Sequence, residues 1–223
     1  MTTTSRTSGI TGMTDGPDLR EAEDRIRADL ELSERRMLHT EGVIKAAAEI
    51  AARHFPSLPE ERVRVAALMH DFTKEYTLEQ HLEICTRYGI PETDEDREKP
   101  KLLHARTAAA LAEHLYGLPP EICSAVRWHT TGRPGMTPLE TVIYFADYSE
   151  DNRVYPSCVR LREYYEKQVR KREPDRALLY GVAKSFDVTL EDLIKHKEYI
   201  DAATVEARNF YRRRICEEKA NDG

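Results

Sequence analysis

The sequence predicts an all-α fold. Apolar residues recur at helical spacing in segment after segment. Capping residues and prolines stand where those segments begin. No Rossmann or P-loop glycine pattern, internal repeat or convincing strand run interrupts them.

The elements follow in order. Residues 1–17 are rich in Thr, Ser and Gly and lack the apolar centre of a signal peptide, so they read as a disordered leader. Asp18 with Glu21 caps a polar helix reaching about Leu32. Met37, Leu38, Val43, Ile44, Ala47, Ala48 and Ala51 lie at helical spacing over Glu34 to Arg53. Pro56 and Pro59 break the chain, and Pro59 opens a helix that ends near His70-Asp71. Thr77 and Gln80 form a capping box for a helix that stops near Gly89. Pro91 to Pro100 is charged and without apolar periodicity, a solvated connection or a lid. Alanine-rich Leu102 to Tyr116 is a helix stopped by Gly117 and Pro119-Pro120. A short helix over Glu121 to His129 leads into the tight loop Thr130 to Gly135. Thr137, Pro138 and Glu140 start a helix to about Tyr148; Val142-Ile143-Tyr144-Phe145 resembles a strand, but this cap favours helix. Pro156 to Arg170 is the next helix. Three more are expected near Asp175–Phe186, Leu190–Lys197 and Ala202–Ile215, the middle one started by Thr189 and Asp192.

A chain of 223 residues suits a single domain, here 18–216, with 217–223 as a flexible tail. Its net charge of −6 argues against a nucleic-acid polymer as partner. No apolar run approaches the ~20 residues that span a bilayer, so no membrane association is expected. Cysteines 85, 123, 158 and 216 form neither a C-x-x-C pattern nor a disulfide framework, which fits a reducing, cytoplasmic setting. The evenly charged surface marks no dimer face.

The chemistry concentrates in His39, His70, Asp71, His104, His129 and Asp147, each in or beside an expected helix. Taken singly, each is an ordinary polar residue, and a histidine at a helix C-terminus is explained by the helix dipole. Together they are enough to hold two metal ions. Imidazole plus carboxylate suits iron, manganese, nickel, cobalt or zinc. Asp147 lies on the apolar run Ile143-Tyr144-Phe145-Ala146, where a buried carboxylate needs compensation such as a metal. Two metals about 3.5–4 Å apart stabilise displacement at phosphorus, so the residues point to a metal-dependent phosphohydrolase. His54, His81, His114 and His196 lack a matching carboxylate and read as structural or exposed.

Arg36-Met37-Leu38-His39-Thr40, His70-Asp71-Phe72-Thr73-Lys74-Glu75, His129-Thr130-Thr131-Gly132-Arg133-Pro134-Gly135-Met136 and Tyr144-Phe145-Ala146-Asp147-Tyr148 together resemble the HD-domain superfamily. More closely, the chain resembles its YqeK family of symmetrical bis(5'-nucleosyl)-tetraphosphatases over roughly residues 25–216. The His-Asp pair is a superfamily feature; the His-Thr-Thr-Gly-Arg loop and Lys74-Glu75 are more specific. Ala105 stands where the family often has glycine, and Ser149-Glu150-Asp151-Asn152-Arg153 departs from the usual Ile-Glu-Pro-x-Arg.

The resemblance implies an HD-domain helical bundle with additional C-terminal helices. It implies hydrolysis of diadenosine tetraphosphate, a dinucleoside polyphosphate, to two ADP, with iron as the expected metal of a di-metal centre. In the mechanism expected on this basis, His39, His70, Asp71 and Asp147 hold one metal. His104 and His129, with Asp71 as a bridge, hold the other, and a metal-activated hydroxide attacks an inner phosphate. Asp71 and Lys74 are the catalytic candidates. Arg36, Lys74 and Arg133 are the substrate-binding candidates, with Arg153 and Arg106 as weaker ones that read more readily as solvated arginines, and Glu75 is expected to orient Lys74 or a ligand histidine. Two alternatives stand beside this reading. One is another HD phosphohydrolase, acting on a mononucleotide, cyclic nucleotide or guanosine polyphosphate. The other is a non-catalytic, metal-containing nucleotide-binding module.

Overall fold

The structure, a computed structural model, describes residues 17–98 and 100–221, and among them there are helices and loops but no strand. Four of the described helices begin where a side chain accepts from one of their first N–H groups. Asp18 accepts a hydrogen bond from the Arg20 amide at the start of α1 (Leu19–Asp29), and Ser33 does the same for Arg36 at the start of α2 (Glu34–His54). Pro59 precedes α3 (Glu60–Met69) as its N-cap. Full capping boxes open α4 (Leu78–Tyr88), through Thr77 and Gln80, and α8 (Pro138–Ser149), through Thr137 and Glu140. Between them run α5 (Asp94–Glu98), a 3-10 turn (Pro100–Leu102), α6 (Leu103–His114) and α7 (Pro120–Trp128). The C-terminal part is α9 (Pro156–Val169), α10 (Pro174–His196) and α11 (Ala202–Asn221).

The core is organised around α8. Val142, Ile143, Tyr144, Phe145 and Ala146 are all fully buried, because α8 is enclosed by α2 and α7, with α3, α9 and α10 also in contact. A helix buried on every side reads as a continuous apolar run, which is why this segment resembles a strand in sequence. Burial of each large side chain here contributes about 1.5–3 kcal/mol relative to exposure. Truncating Phe145, which packs edge-on against Tyr165 at 4.9 Å, removes about 3–5 kcal/mol.

Three expectations are corrected. The segment from Pro91, expected as a loop, carries α5 and the 3-10 turn, and Asp96 accepts from the Thr93 amide and pairs with Arg106 at 2.5 Å. The two helices expected on either side of Thr189 are one, α10. Thr189 and Asp192 do not restart a helix because Phe186, Val188 and Thr189 are buried on either side of the partly exposed Asp187, and no Gly or Pro interrupts them. Residues 217–221, expected in a tail, continue α11, where Arg176 of α10 pairs with Glu218 at 3.4 Å. The expected leader lies outside the described residues except for Pro17, as do residues 222 and 223 of the tail. Among the described residues, no helix is long and apolar enough to cross a membrane.

Candidate metal centre

Several helix ends meet at one place. His70 is the C-cap of α3 with Asp71 directly after it, His129 is the C-cap of α7, and Asp147 lies in the last turn of α8. His104 is the second residue of α6, and His39 enters from the second turn of α2. All six side chains are buried, and they fall into two groups. His39, His70 and Asp147 offer ligand atoms within 4.8 Å of one another, as do Asp71, His104 and His129.

Hydrogen bonds on the outer nitrogens turn the imidazoles. Nδ1–H of His70 donates to Ala67 O at 2.6 Å, that of His104 to Lys101 O at 2.5 Å, and that of His129 to Val126 O at 2.7 Å. A carbonyl only accepts, so each Nδ1 carries the proton and each Nε2 turns a lone pair inward. His39 differs: its Nδ1 lies 3.0 Å from the buried carboxylate of Glu150.

The inner nitrogens then converge. Nε2 of His104 and Nε2 of His129 are 3.0 Å apart, and neither has a proton to give the other. The donors within reach are the Thr130 hydroxyl, 3.1 Å from His129 Nε2, and the Lys74 ammonium, 3.1 Å from His104 Nε2. His39 Nε2, His70 Nε2 and Asp71 Oδ1 are buried without a hydrogen-bond partner. Asp71 divides its carboxylate between the groups. Oδ1 is 3.2 Å from His104 Nε2 and 3.6 Å from His129 Nε2, while Oδ2 is 3.4 Å from His70 Nε2 and 3.6 Å from His39 Nε2. Asp147 Oδ1 completes the first group, 3.0 Å from His39 Nε2 and 3.9 Å from His70 Nε2. Facing lone pairs in a buried site are costly. Each group could hold a divalent cation that would accept them, and the N/O donor set suits a first-row transition metal.

Electrostatics act differently on the individual donors. Burial pushes the Asp71 carboxyl up, but neighbouring positive charge, with the Lys74 ammonium 3.4 Å from Oδ1, outweighs it and holds it well below the ordinary carboxylate range. Burial is likewise overcome at Asp147, mainly by Arg153 and His39. His104 is pushed down to about 3 by burial and by the Lys74 ammonium, and burial also lowers His129. Both are therefore neutral, ligand-competent imidazoles at neutral pH. At His39, burial is outweighed by Asp147 and Glu150, and its pKa rises.

Three expected cationic residues reach the same carboxylates. Arg36 Nη1 lies 2.8 Å from Asp71 Oδ2, and Arg153 Nη2 lies 2.5 Å from Asp147 Oδ1. Lys74 Nζ lies 3.4 Å from Asp71 Oδ1 and 3.1 Å from His104 Nε2. Arg133 is engaged elsewhere: its guanidinium pairs with the buried Glu140 at 2.9 Å, near the start of α8. Arg106 is held by Asp96, and Glu75 accepts from both the Ser33 amide (2.6 Å) and hydroxyl (2.7 Å) instead of orienting Lys74. Glu75 thereby fixes the cap of α2, the helix that carries Arg36 and His39. Of the other histidines, His54 meets Tyr165 Oη at 2.5 Å, His81 meets Thr107 Oγ1 at 2.9 Å, and His114 stacks on Tyr88.

Two residues at the centre receive no role from sequence, although both lie within motifs of the resemblance. Thr130 belongs to the His-Thr-Thr-Gly-Arg loop, and Glu150 stands where the resembled family's Ile-Glu-Pro-x-Arg has its glutamate.

Comparison with known proteins gives a consistent set of relatives. Residues 36–152 match the family model for the HD domain. A Bacillus subtilis protein named symmetrical bis(5'-nucleosyl)-tetraphosphatase is 39% identical over 137 residues, 61% of this chain and 72% of the relative. A Staphylococcus aureus protein of the same name is 29% identical over 183 residues, 81% of this chain and 88% of the relative. A Clostridium acetobutylicum crystal structure, described as a predicted HD superfamily hydrolase involved in NAD metabolism, is 33% identical with a TM-score of 0.75. The match covers 86% of this chain and 97% of that one.

Proposed function

The chain belongs to the HD-domain family, and we propose that it is a metal-dependent hydrolase that cleaves diadenosine tetraphosphate symmetrically into two ADP. The observation that carries this reading is the division of Asp71 between two buried ligand groups, with Arg36, Lys74 and Arg153 bearing on the same carboxylates. Curated relatives named for this reaction support the choice of substrate.

His39, His70 and Asp147 would hold one metal, His104 and His129 the other, and Asp71 would bridge them. When bound, the metals supply Lewis acidity, which activates a water and stabilises charge on the phosphoryl oxygens. Iron is the proposed metal; manganese, cobalt, nickel and zinc fit the same donors. The remaining work belongs to side chains. Arg36 and Arg153 present guanidiniums suited to pairs of phosphate oxygens, and Lys74 presents a compact charge beside the bridging carboxylate. Together they orient the tetraphosphate so that one of its two inner phosphorus atoms lies over Asp71. The bond broken joins that phosphorus to the central bridging oxygen. The oxygen leaves on ADP as a phosphate anion that needs little protonation, and the water contributes hydroxide to the other ADP. Room for a nucleoside exists beside Arg153, in a groove of about 370 Å³ lined by Tyr148, Tyr155, Arg160 and Lys195.

A second reading, hydrolysis of another nucleotide, draws on the solved relative described as involved in NAD metabolism. A substrate panel separates the two. Turnover of diadenosine tetraphosphate far above that of mononucleotides, cyclic nucleotides, guanosine polyphosphates and NAD supports the proposal. A preference for any of these over the tetraphosphate refutes it.

A further inference from the structure

We propose that Glu150 is a positioning residue for His39 and makes the His39/His70/Asp147 group the tighter of the two metal positions; this rests on the metal reading above. Among the cluster histidines, His70, His104 and His129 each give their outer N–H to a backbone carbonyl. His39 alone meets a carboxylate there, at 3.0 Å. An anion on the outer nitrogen fixes the tautomer, stops the ring from rotating and makes Nε2 a stronger donor than a neutral carbonyl does. The two metal positions are therefore built unequally.

The surroundings of Glu150 suit that task. The residue is 1% exposed, at the end of α8. One carboxylate oxygen faces His39, and the other accepts from the Asn152 amide at 2.6 Å. Asn152 Nδ2 in turn donates to Leu38 O at 3.0 Å, next to His39 on α2, and Arg162 holds the Glu150 carbonyl at 2.8 Å. Gly42, three residues beyond His39, leaves the space this carboxylate fills. A Cβ there would lie 2.2 Å from Glu150 Oε2 and 2.8 Å from Asn152 Nδ2. The close approach of α2 to the α8 end thus depends on glycine, and it delivers one buried carboxylate to one nitrogen.

The test is stepwise loading and chelator removal of cobalt(II), followed by metal content and the visible spectrum of each equivalent. Wild type should release its two equivalents in two steps. In Glu150→Gln, the tightly held equivalent should be lost at about 10–100-fold lower chelator concentration. Its absorption bands should shift, while the other equivalent stays as in wild type. Gly42→Ala keeps the carboxylate but pushes against it, and should weaken the same equivalent. It decides the matter if Glu150→Gln loses its helical signal. Equal weakening of both equivalents, or no change in either variant, overturns the role of Glu150 alone. Wild-type protein that takes up no metal overturns the functional reading and this proposal with it.

Discussion

Gly132→Ala tests how the core holds the metal centre. Gly132 lies three residues after His129, and its amide closes onto Trp128 O at 2.9 Å with φ +64°. An alanine in that left-handed conformation costs roughly 1–2 kcal/mol. A Cβ there would also lie 2.5 Å from Phe186 Cζ and 2.8 Å from Cε1. Phe186 has no free path away, because it is fully buried and stacked between Tyr144 and Tyr211, with ring centres 4.6 and 5.6 Å away. Overpacking of this kind costs about 1–3 kcal/mol. The sum is about 2–5 kcal/mol, and at about 2–4 °C per kcal/mol for a chain of this size the melting temperature should fall by about 4–20 °C. Thermal unfolding of the chelated protein measures this without a metal contribution. Adding Phe186→Leu should recover part of the clash but none of the backbone strain, so the double variant should be less destabilised than additivity requires. A melting temperature within 2 °C of wild type, on the order of a fraction of a kcal/mol, would refute the turn-and-core argument.

The remaining predictions concern chemistry and charge. His70→Ala should lower metal content and reduce turnover by at least about 100-fold; full metal content with full turnover would show that His70 is not part of the centre. Lys74→Ala should keep metal content near wild type but raise KM and lower kcat, and unchanged kinetics would remove Lys74 from the phosphate path. Arg133→Ala leaves buried Glu140 with only its remaining partners, so its main expected effect is a loss of about 1–3 kcal/mol of stability, read by denaturant titration. Burial lowers the folded-state pKa of His54 and of His81 below 6.5. Below pH 6.5 the unfolded chain takes up these protons and the folded chain resists them, so stability present above pH 6.5 is lost as the pH falls toward the folded values. Chelated His54→Gln/His81→Gln protein should show a shallower fall in melting temperature between pH 7.5 and 5.5 than chelated wild type, and equal slopes would contradict the assignment.

Much of this molecule is legible from sequence because its signals are local. Thr77 with Gln80 and Thr137 with Glu140 carry complete capping boxes within four residues, and both form. The six expected residues come together, five of them at or beside helix ends and His39 from the second turn of α2. What sequence conceals is tertiary. Thr189 and Asp192 look like a helix start, yet the buried run beside Thr189 carries α10 straight through. Glu140 reads as a capping residue but also holds Arg133, whose partner cannot be inferred from the loop motif. Gly42 and Glu150 become meaningful only when α2 and the end of α8 are side by side.

The most direct test of the central claim is chromatographic identification of the products that metal-quantified protein makes from diadenosine tetraphosphate. The account predicts ADP as the sole product, lost on chelation and in Asp71→Ala. ATP together with AMP, or no product from protein carrying two metals, would contradict it.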